Sequence, residues 1–509
     1  MENGIKTFKL IDSELKKLIL AQSTGHNKSI FNYNAVKELL KSDTKFSSLK
    51  PLNRSQYKAL KKALLQKLSI IQGPPGTGKT QISAAFVWYV SRLYKPQNSM
   101  EKILVTSSSN KAVDNLVLRI KKTGLKVIKI ASRIRAKLDS INLKVEKHSL
   151  HVLLKNYIYT NHYQFYGYFI DKYENDELID YSILKMLEKI VKKVEQNFLE
   201  QADVICCTNI MVGDPRLSQL YFPFVLIDEA SQSTEPEAIL PLTKGCRHLV
   251  LVGDQMQLGP RIYSKIAEVS GLGISLMKRL IDSGIQPYLL QFQYRMHPLI
   301  SRFPSEFYYE GLIINGVSSN DRPIIENFWP NDIPNIFLHN DFQEGSIGSG
   351  TVSNINEAFE VLYAINSLKE NFVEYNRIVV ITPYEGQKKV ISEIFEINHI
   401  GIKVVNIDEF QGCEQDYVIF STVRSNSEFE IGFLNDYRRM NVAITRAKFG
   451  LVVLGNCYVL KKSLLWSHLI KDYADKNMIF SGNFGSLKNL KVEIPDIAKY
   501  NFCSRFDYS

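Results

Sequence analysis

The sequence predicts an α/β protein with two open parallel-sheet domains in tandem and a helical insertion in the first. Three observations carry this. Short Ile-, Val- and Leu-rich runs alternate with helix-patterned stretches in two successive series. A long charged stretch interrupts the first series. A strand, a glycine-rich loop and a helix stand at the head of that series, the order that places a phosphate-binding turn on such a sheet.

Taken in order, residues 1–50 are polar and weakly helical and form a short N-terminal segment. The first domain spans 51–289. Its strands are expected at 68–72 ("LSIIQ"), 103–107, 125–130, 203–208, 224–228 and 248–254. Near-continuous apolar runs of this kind suit parallel strands covered on both faces. Residues 132–200, including "ILKMLEKIVKKVEQNFLEQ", read as the helical insertion. The second domain spans 290–480, with strands at 334–340, 377–383, 402–407, 416–423 and 449–455 and helices at 354–369 and 384–396. Residues 301–350, with Gly, Ser and Pro, read as irregular surface loops, and 481–509 as a C-terminal tail.

Composition narrows the function classes. The 509 residues carry a net charge of +11, which favours a polyanionic partner over a neutral one. Six cysteines without C-x-x-C spacing argue against a zinc site and for a reducing compartment. No apolar run reaches membrane-spanning length. The start "MENGIKTFKL" lacks the apolar core of a signal peptide. A cytoplasmic setting is expected, with the nucleus as the alternative, and no membrane partner.

"GPPGTGKT", Gly73 to Thr80, fits the pattern G-x-x-x-x-G-K-[ST] between a strand and a helix. Gly73, Gly76, Thr77 and Gly78 supply backbone N–H groups to phosphate oxygens at a helix N-terminus. Lys79 neutralises the β- and γ-phosphates of a nucleoside triphosphate, and Thr80 ligates Mg²⁺. "FVLIDEASQ" ends a strand in two carboxylates: Asp228 for the metal and Glu229 for the attacking water. Gln257 in "VGDQMQLGP" is an amide suited to sense the γ-phosphate. Such a loop alone hydrolyses slowly, and an arginine against the γ-phosphate adds roughly 10³–10⁵ in rate. Arg295 in "QFQYRMHP" and Arg446 in "MNVAITRAK" are the candidates, meeting the nucleotide in a cleft between the domains. No residue near Arg295 in the sequence pairs with it, and a structural ion pair between domains is its alternative role. Tyr294 is placed to stack on the base and Gln56 to read the adenine edge.

The ordered set "GPPGTGKT", "DEASQ", "GDQMQLGP", "QYRMHP", "ITPYEGQ", "FQGCEQDYVIFSTVR" and "GFLNDYRRMNVAITRAK" resembles the superfamily 1 RNA/DNA helicases of the up-frameshift type, from about residue 51 to about 480. "QADVICCT", "GDPRL" and "FPSEFYYEGLIINGV" are similar to that branch more than to senataxin-like helicases. The resemblance implies two RecA-like domains, ATP and Mg²⁺ as cofactors, single-stranded RNA or DNA as the bound strand, 5′-to-3′ translocation and a place in nonsense-mediated mRNA decay. It adds Glu414 as a nucleotide-contacting acid. It also implies mRNA-decay factors as partners, although the family's N-terminal Cys/His-rich domain has no counterpart before Gln56. Cys413 and Gln415 stand where the family has basic residues, and Tyr437 where it tends to have proline.

A strand-binding track is expected at strand ends in both domains: Ser109, Asn110 and Lys111 after "ILVTS", Thr208, then Thr382, an exposed Tyr384, and Arg424. Each of these residue types also serves as a helix cap or turn. Two other functions stay open at this point. One is an ATP-gated clamp that remodels protein–RNA complexes without unwinding, and the other is a small-molecule phosphotransferase.

Overall fold

The computed structural model describes residues 11–22, 27–42, 49–132, 143–161, 181–347, 351–482 and 486–494. The chain forms two compact units. The first comprises residues up to Gly73, Gly78–Gln255 and Gly259–Leu290. The second comprises Pro74–Thr77, Met256–Leu258 and the chain from Gln291 onward.

In the first unit, seven strands form one sheet: β1 (Leu68–Gln72), β2 (Glu101–Ser107), β3 (Val127–Lys129), β4 (Val204–Thr208), β5 (Tyr221–Asp228), β6 (His248–Gly253) and β7 (Tyr288–Leu289). Their order is β3-β4-β2-β5-β6-β1-β7, and all neighbours are parallel. Side-chain alternation sorts the apolar strand residues into two cores. Ile70, Leu104, Ile205, Val225, Ile227 and Leu249 pack in one core with Leu15, Leu18 and Ile19 of the helix Ser13–Ile19. Ile71, Val105, Phe224, Leu226 and Val250 pack in the other with the helices Arg54–Leu65, Lys79–Leu93 and Asn110–Lys121. Parallel strands covered on both faces are the reason these runs are apolar throughout.

Register sets the working edge. Gln72 pairs with Gly253, Ser107 with Asp228, and Thr208 with Ser107. The carboxyl ends of five strands therefore finish along one edge.

In the second unit, β8 (Phe292–Gln293) and β9 (Ile314–Asn315) form a parallel pair. β10 (Asn335–His339) enters the main sheet, and β11 (Gly345–Ile347) and β12 (Thr351–Ser353) pair antiparallel. The main sheet adds β13 (Ile378–Thr382), β14 (Lys403–Asn406), β15 (Gln415–Ser421), β16 (Ala447–Gly455), β17 (Ile479–Ser481) and β18 (Lys488–Asn489). Its order is β14-β13-β15-β16-β10-β17-β18, parallel except for β17 with β18. Its core contains Ile336, Phe337, Val380, Ile381, Ile419, Phe420, Val452 and Trp466, together with Met256 and Leu258.

Some expectations change. Residues 301–308 are not a surface loop: they belong to the helix Pro298–Tyr308, with Pro298 in the first turn and Phe303 and Tyr308 buried. Proline is tolerated at that first position, and the His297 side chain accepts from the Leu299 N–H to cap the helix. The N-terminal segment is more than weakly helical. Beyond the helix Ser13–Ile19, the Asn27 amide brackets the start of β1 by donating to Leu68 O and accepting from Leu68 N–H, both at 2.8 Å. Within the expected insertion the helices are Leu143–Glu146, Leu150–Asn161 and Tyr181–Gln201. Residues 133–142 and 162–180 of it, and 495–509 of the expected tail, lie outside the described residues.

Candidate functional site

The loop after β1 turns into the helix Lys79–Leu93 through Gly78, whose φ of +83° is left-handed. Only glycine takes that conformation without steric cost. A Cβ there would also lie 2.6 Å from Gln56 Nε2, so Gln56 is held against the loop. Gln56 itself is fixed by a capping box with Asn53: its N–H donates to Asn53 Oδ1 at 2.9 Å, and its Oε1 accepts from Asn53 N–H at 3.1 Å. Lys79 folds back and donates to Gly73 O at 2.8 Å. Thr80 follows on the first turn. Thr77 is buried, and its hydroxyl donates to Pro74 O at 2.7 Å.

Asp228 ends β5 and is almost fully buried. Burial and the neighbouring Glu229 push its carboxyl up to about 7, while Lys79 and the Glu229 N–H pull it back. Glu229 sits at φ +50°, a left-handed residue at the turn. Its carboxylate accepts from Gln232 Nε2 at 2.9 Å. The end of β6 presses on this turn: a Cβ on Gly253 would lie 2.9 Å from Ser231 N and 3.2 Å from Ala230 N. Thus Lys79, Asp228 and Glu229 belong to one strand-edge site in the first unit.

The second unit gathers the arginines. Arg295 is buried. Its Nε donates to Glu414 Oε2 at 2.8 Å and its Nη1 to Thr445 O at 3.0 Å. The expectation that no residue near Arg295 in the sequence pairs with it holds, since Glu414 is 119 residues away. The ion pair lies within the second unit rather than between domains. Arg446 is fully buried and donates to Val442 O at 2.8 Å, Cys413 O at 3.1 Å and Gln257 Oε1 at 3.1 Å. Thr445 joins the two, because its hydroxyl accepts from Arg446 Nη2 at 3.3 Å. Glu414 is the counter-ion. Burial works to raise its carboxyl, but Arg295 and Lys448 outweigh that and hold it down at about 2. Sequence reading missed Lys448, although it sits two residues after Arg446 and lies 3.1 Å from Glu414. Tyr294 is partly exposed, and its N–H donates to Gly76 O at 2.9 Å. Arg322, also missed, donates to the carbonyls of Arg295 and Tyr294 at 2.9 and 2.8 Å.

Two family models, each described as an AAA domain, match residues 51–177 with 170–265, and residues 272–458. The chain is 42% identical over 450 residues to the Regulator of nonsense transcripts 1 homolog of Drosophila melanogaster, covering 86% of this chain and 37% of that protein. It is 37% identical over 506 residues to the ATP-dependent helicase upf1 of Schizosaccharomyces pombe, covering 97% of this chain and 54% of that protein. The chain belongs to the up-frameshift helicase family. It spans about a third to about half the length of these curated relatives. An arterivirus non-structural protein 10 helicase structure aligns at a TM-score of 0.38 and 14% identity over 78% of this chain and 62% of that one, a likeness too slight to argue from.

In this up-frameshift chain the expected strand-binding residues fall at carboxyl edges. Ser109 caps the helix Asn110–Lys121 by accepting from Ala112 N–H at 3.2 Å, with Asn110 and Lys111 in its first turn. Thr208 ends β4 and bonds nothing as a cap. Thr382 ends β13, fully buried, with its hydroxyl lacking a partner among the described residues. Tyr384 is a correction: it is buried, not exposed. Its hydroxyl donates to Ile431 O at 3.1 Å, and its ring meets Phe433. Arg424 lies beyond the end of β15 and is paired with Glu344 at 3.0 Å. Within the second unit the arginine cluster stands at the opposite end of β15 and β16 from Arg424, since Glu414 and Arg446 precede the paired residues Gln415 and Ala447. Among the described residues no group of three His, Cys, Asp or Glu could hold a metal, and no helix is long and apolar enough to cross a membrane.

Proposed function

We propose that the protein is an ATP-dependent helicase or translocase that moves 5′ to 3′ along single-stranded RNA or DNA, with RNA in nonsense-mediated decay as its setting and the cytoplasm as its compartment. The observation that carries this reading is the strand-edge site of Lys79, Asp228 and Glu229. In it, a lysine turned onto a phosphate loop shares an edge with the buried carboxylate Asp228 and its half-buried neighbour Glu229. Lys79 neutralises the β- and γ-phosphates. Gly73, Gly76, Thr77 and Gly78 offer backbone N–H groups. Glu229 orients and deprotonates the attacking water. Arg295 and Arg446 stabilise charge on the transferred phosphoryl group, and Gln257 reports its presence to Arg446. Glu414 keeps Arg295 ordered and contacts the nucleotide. Tyr294 and Gln56 hold the base.

The donors present fit Mg²⁺. Asp228 is a buried carboxylate whose charge is costly there, and a hard divalent cation with oxygen ligands relieves that cost. Thr80 and Asp228 would hold it, and it would neutralise charge on the β- and γ-oxygens.

ATP turnover with and without single-stranded RNA and DNA tests the reading. Strand-stimulated turnover is expected. Turnover indifferent to nucleic acid would return the protein to small-molecule phosphoryl transfer. Strand displacement measured beside it separates unwinding from a clamp that only binds.

A further inference from the structure

The loop leaving β15 holds a strained residue. Val423 is fully buried at φ +72°, a region where a β-branched side chain is an outlier that the surroundings must impose. The agent is Glu357, itself without exposure, on the helix Ile355–Glu370. Its Oε1 accepts from Val423 N–H at 2.9 Å and from the Ser421 hydroxyl at 2.6 Å, and its Oε2 accepts from Asn340 Nδ2 at 3.3 Å. Asn354, the cap of that helix, reaches Val423 O at 3.4 Å. Both backbone groups of Val423 are thus tied to the start of one helix.

The next residue is Arg424. Its Nε donates to Glu344 Oε2 at 3.0 Å and its Nη1 to the Tyr384 hydroxyl at 3.3 Å. Ser425 N–H and Asn426 Nδ2 also donate to Glu344, at 2.7 and 3.3 Å. The guanidinium is held on two sides, and its Nη2 has no partner among the described residues.

We propose that Glu344 and Glu357 are positioning residues that present the remaining edge of Arg424 to one phosphodiester of a bound single strand. This rests on the strand-binding reading of the second unit's carboxyl edge. Charge arithmetic alone points the other way, because deleting an acid beside a phosphate contact removes repulsion and tightens binding. Positioning reverses that sign for Glu344.

The test is titration of fluorescein-labelled oligouridine with the full chain over a range of salt, with thermal unfolding to confirm that each variant is folded. Arg424→Ala weakens binding and lowers the salt slope by about one phosphate. Glu344→Ala weakens binding by roughly 3- to 10-fold despite the added net positive charge, whereas Glu344→Gln, which keeps an oxygen for Nε, stays within about 2-fold. Glu344→Ala binding as tightly as the unaltered chain or tighter, while Arg424→Ala weakens it, overturns the positioning role and leaves the strand reading standing. Arg424→Ala without effect overturns the strand reading itself. For Glu357, hydrogen exchange on the unaltered chain decides. The Val423 amide, although past the strand end, exchanges slowly if the carboxylate holds it, and fast exchange removes Glu357 from the proposal.

Discussion

Arg295→Ala separates chemistry from support at a residue that could serve either. Two bonds disappear: Nε to Glu414 at 2.8 Å and Nη1 to the Thr445 carbonyl at 3.0 Å. A charge-assisted hydrogen bond contributes about 1.5–3 kcal/mol when shielded. Here the Glu414 side chain keeps 43% of its accessibility, and Lys448 stays beside it at 3.1 Å. Solvent screening and the surviving cation reduce the stability cost to about 1 kcal/mol. In a unit of this size that lowers Tm by about 2–4 °C. If Arg295 acts on the γ-phosphate, turnover falls by roughly 10² or more, a barrier increase of about 2.7 kcal/mol. The assay is steady-state ATP turnover at saturating ATP and saturating oligouridine, beside binding of a fluorescent ATP analogue and a thermal melt. Binding largely retained with turnover down by at least that factor is the expected result. A folded variant that turns over within about threefold of the parent would refute the reasoning and leave Arg295 as the Glu414 counter-ion alone.

Three further outcomes are expected. Lys79→Ala abolishes hydrolysis, because the β- and γ-phosphate charge goes uncompensated; turnover at the parental rate would remove the phosphate loop from the reaction. Gly253→Ala forces a Cβ to within 2.9 Å of Ser231 N and 3.2 Å of Ala230 N, which costs about 1–3 kcal/mol and also lowers turnover by shifting the turn that carries Glu229; an unchanged Tm would show that the turn gives way freely. Burial raises the Glu357 carboxyl from 4.5 to about 7, so folding takes up a proton there. That contribution, on the order of 3 kcal/mol, is complete below the unfolded value and lost as pH rises through about 7. Glu357→Gln lacks it, so melts from about pH 5 to 8 show the variant gaining on the parent as pH rises, and parallel curves would contradict this.

Strand placement was legible because buried parallel strands leave unbroken apolar runs. "LSIIQ" is β1 residue for residue, and the other predicted strands of both main sheets fall within a few residues of the observed ones. Lys79, Asp228 and Glu229 were legible because a strand end followed by a glycine loop or an acid pair leaves a local signature. What escaped depends on distance in the chain. The Arg295 partner is 119 residues away, and that of Arg424 is 80 away. Ion pairs of that span leave no pattern in a window of sequence. Tyr384 was misplaced for a similar reason: the residues that meet it, Arg424, Ile431 and Phe433, lie 40 or more positions away in the chain. In the helix Pro298–Tyr308, two prolines hid the periodicity that Ile300, Phe303 and Tyr308 keep.

The second unit draws Pro74–Thr77 and Met256–Leu258 out of the earlier half of the chain, and Met256 and Leu258 are part of its own core. A fragment starting at Gln291 would therefore lack two residues of its own core. On the ribosome the later half has its full interior only by recruiting residues made long before it, while the earlier half must leave those residues uncommitted until then. Expressing the halves separately should give a soluble first piece and an aggregation-prone second, with the second recovered by fusing the 256–258 strip to it.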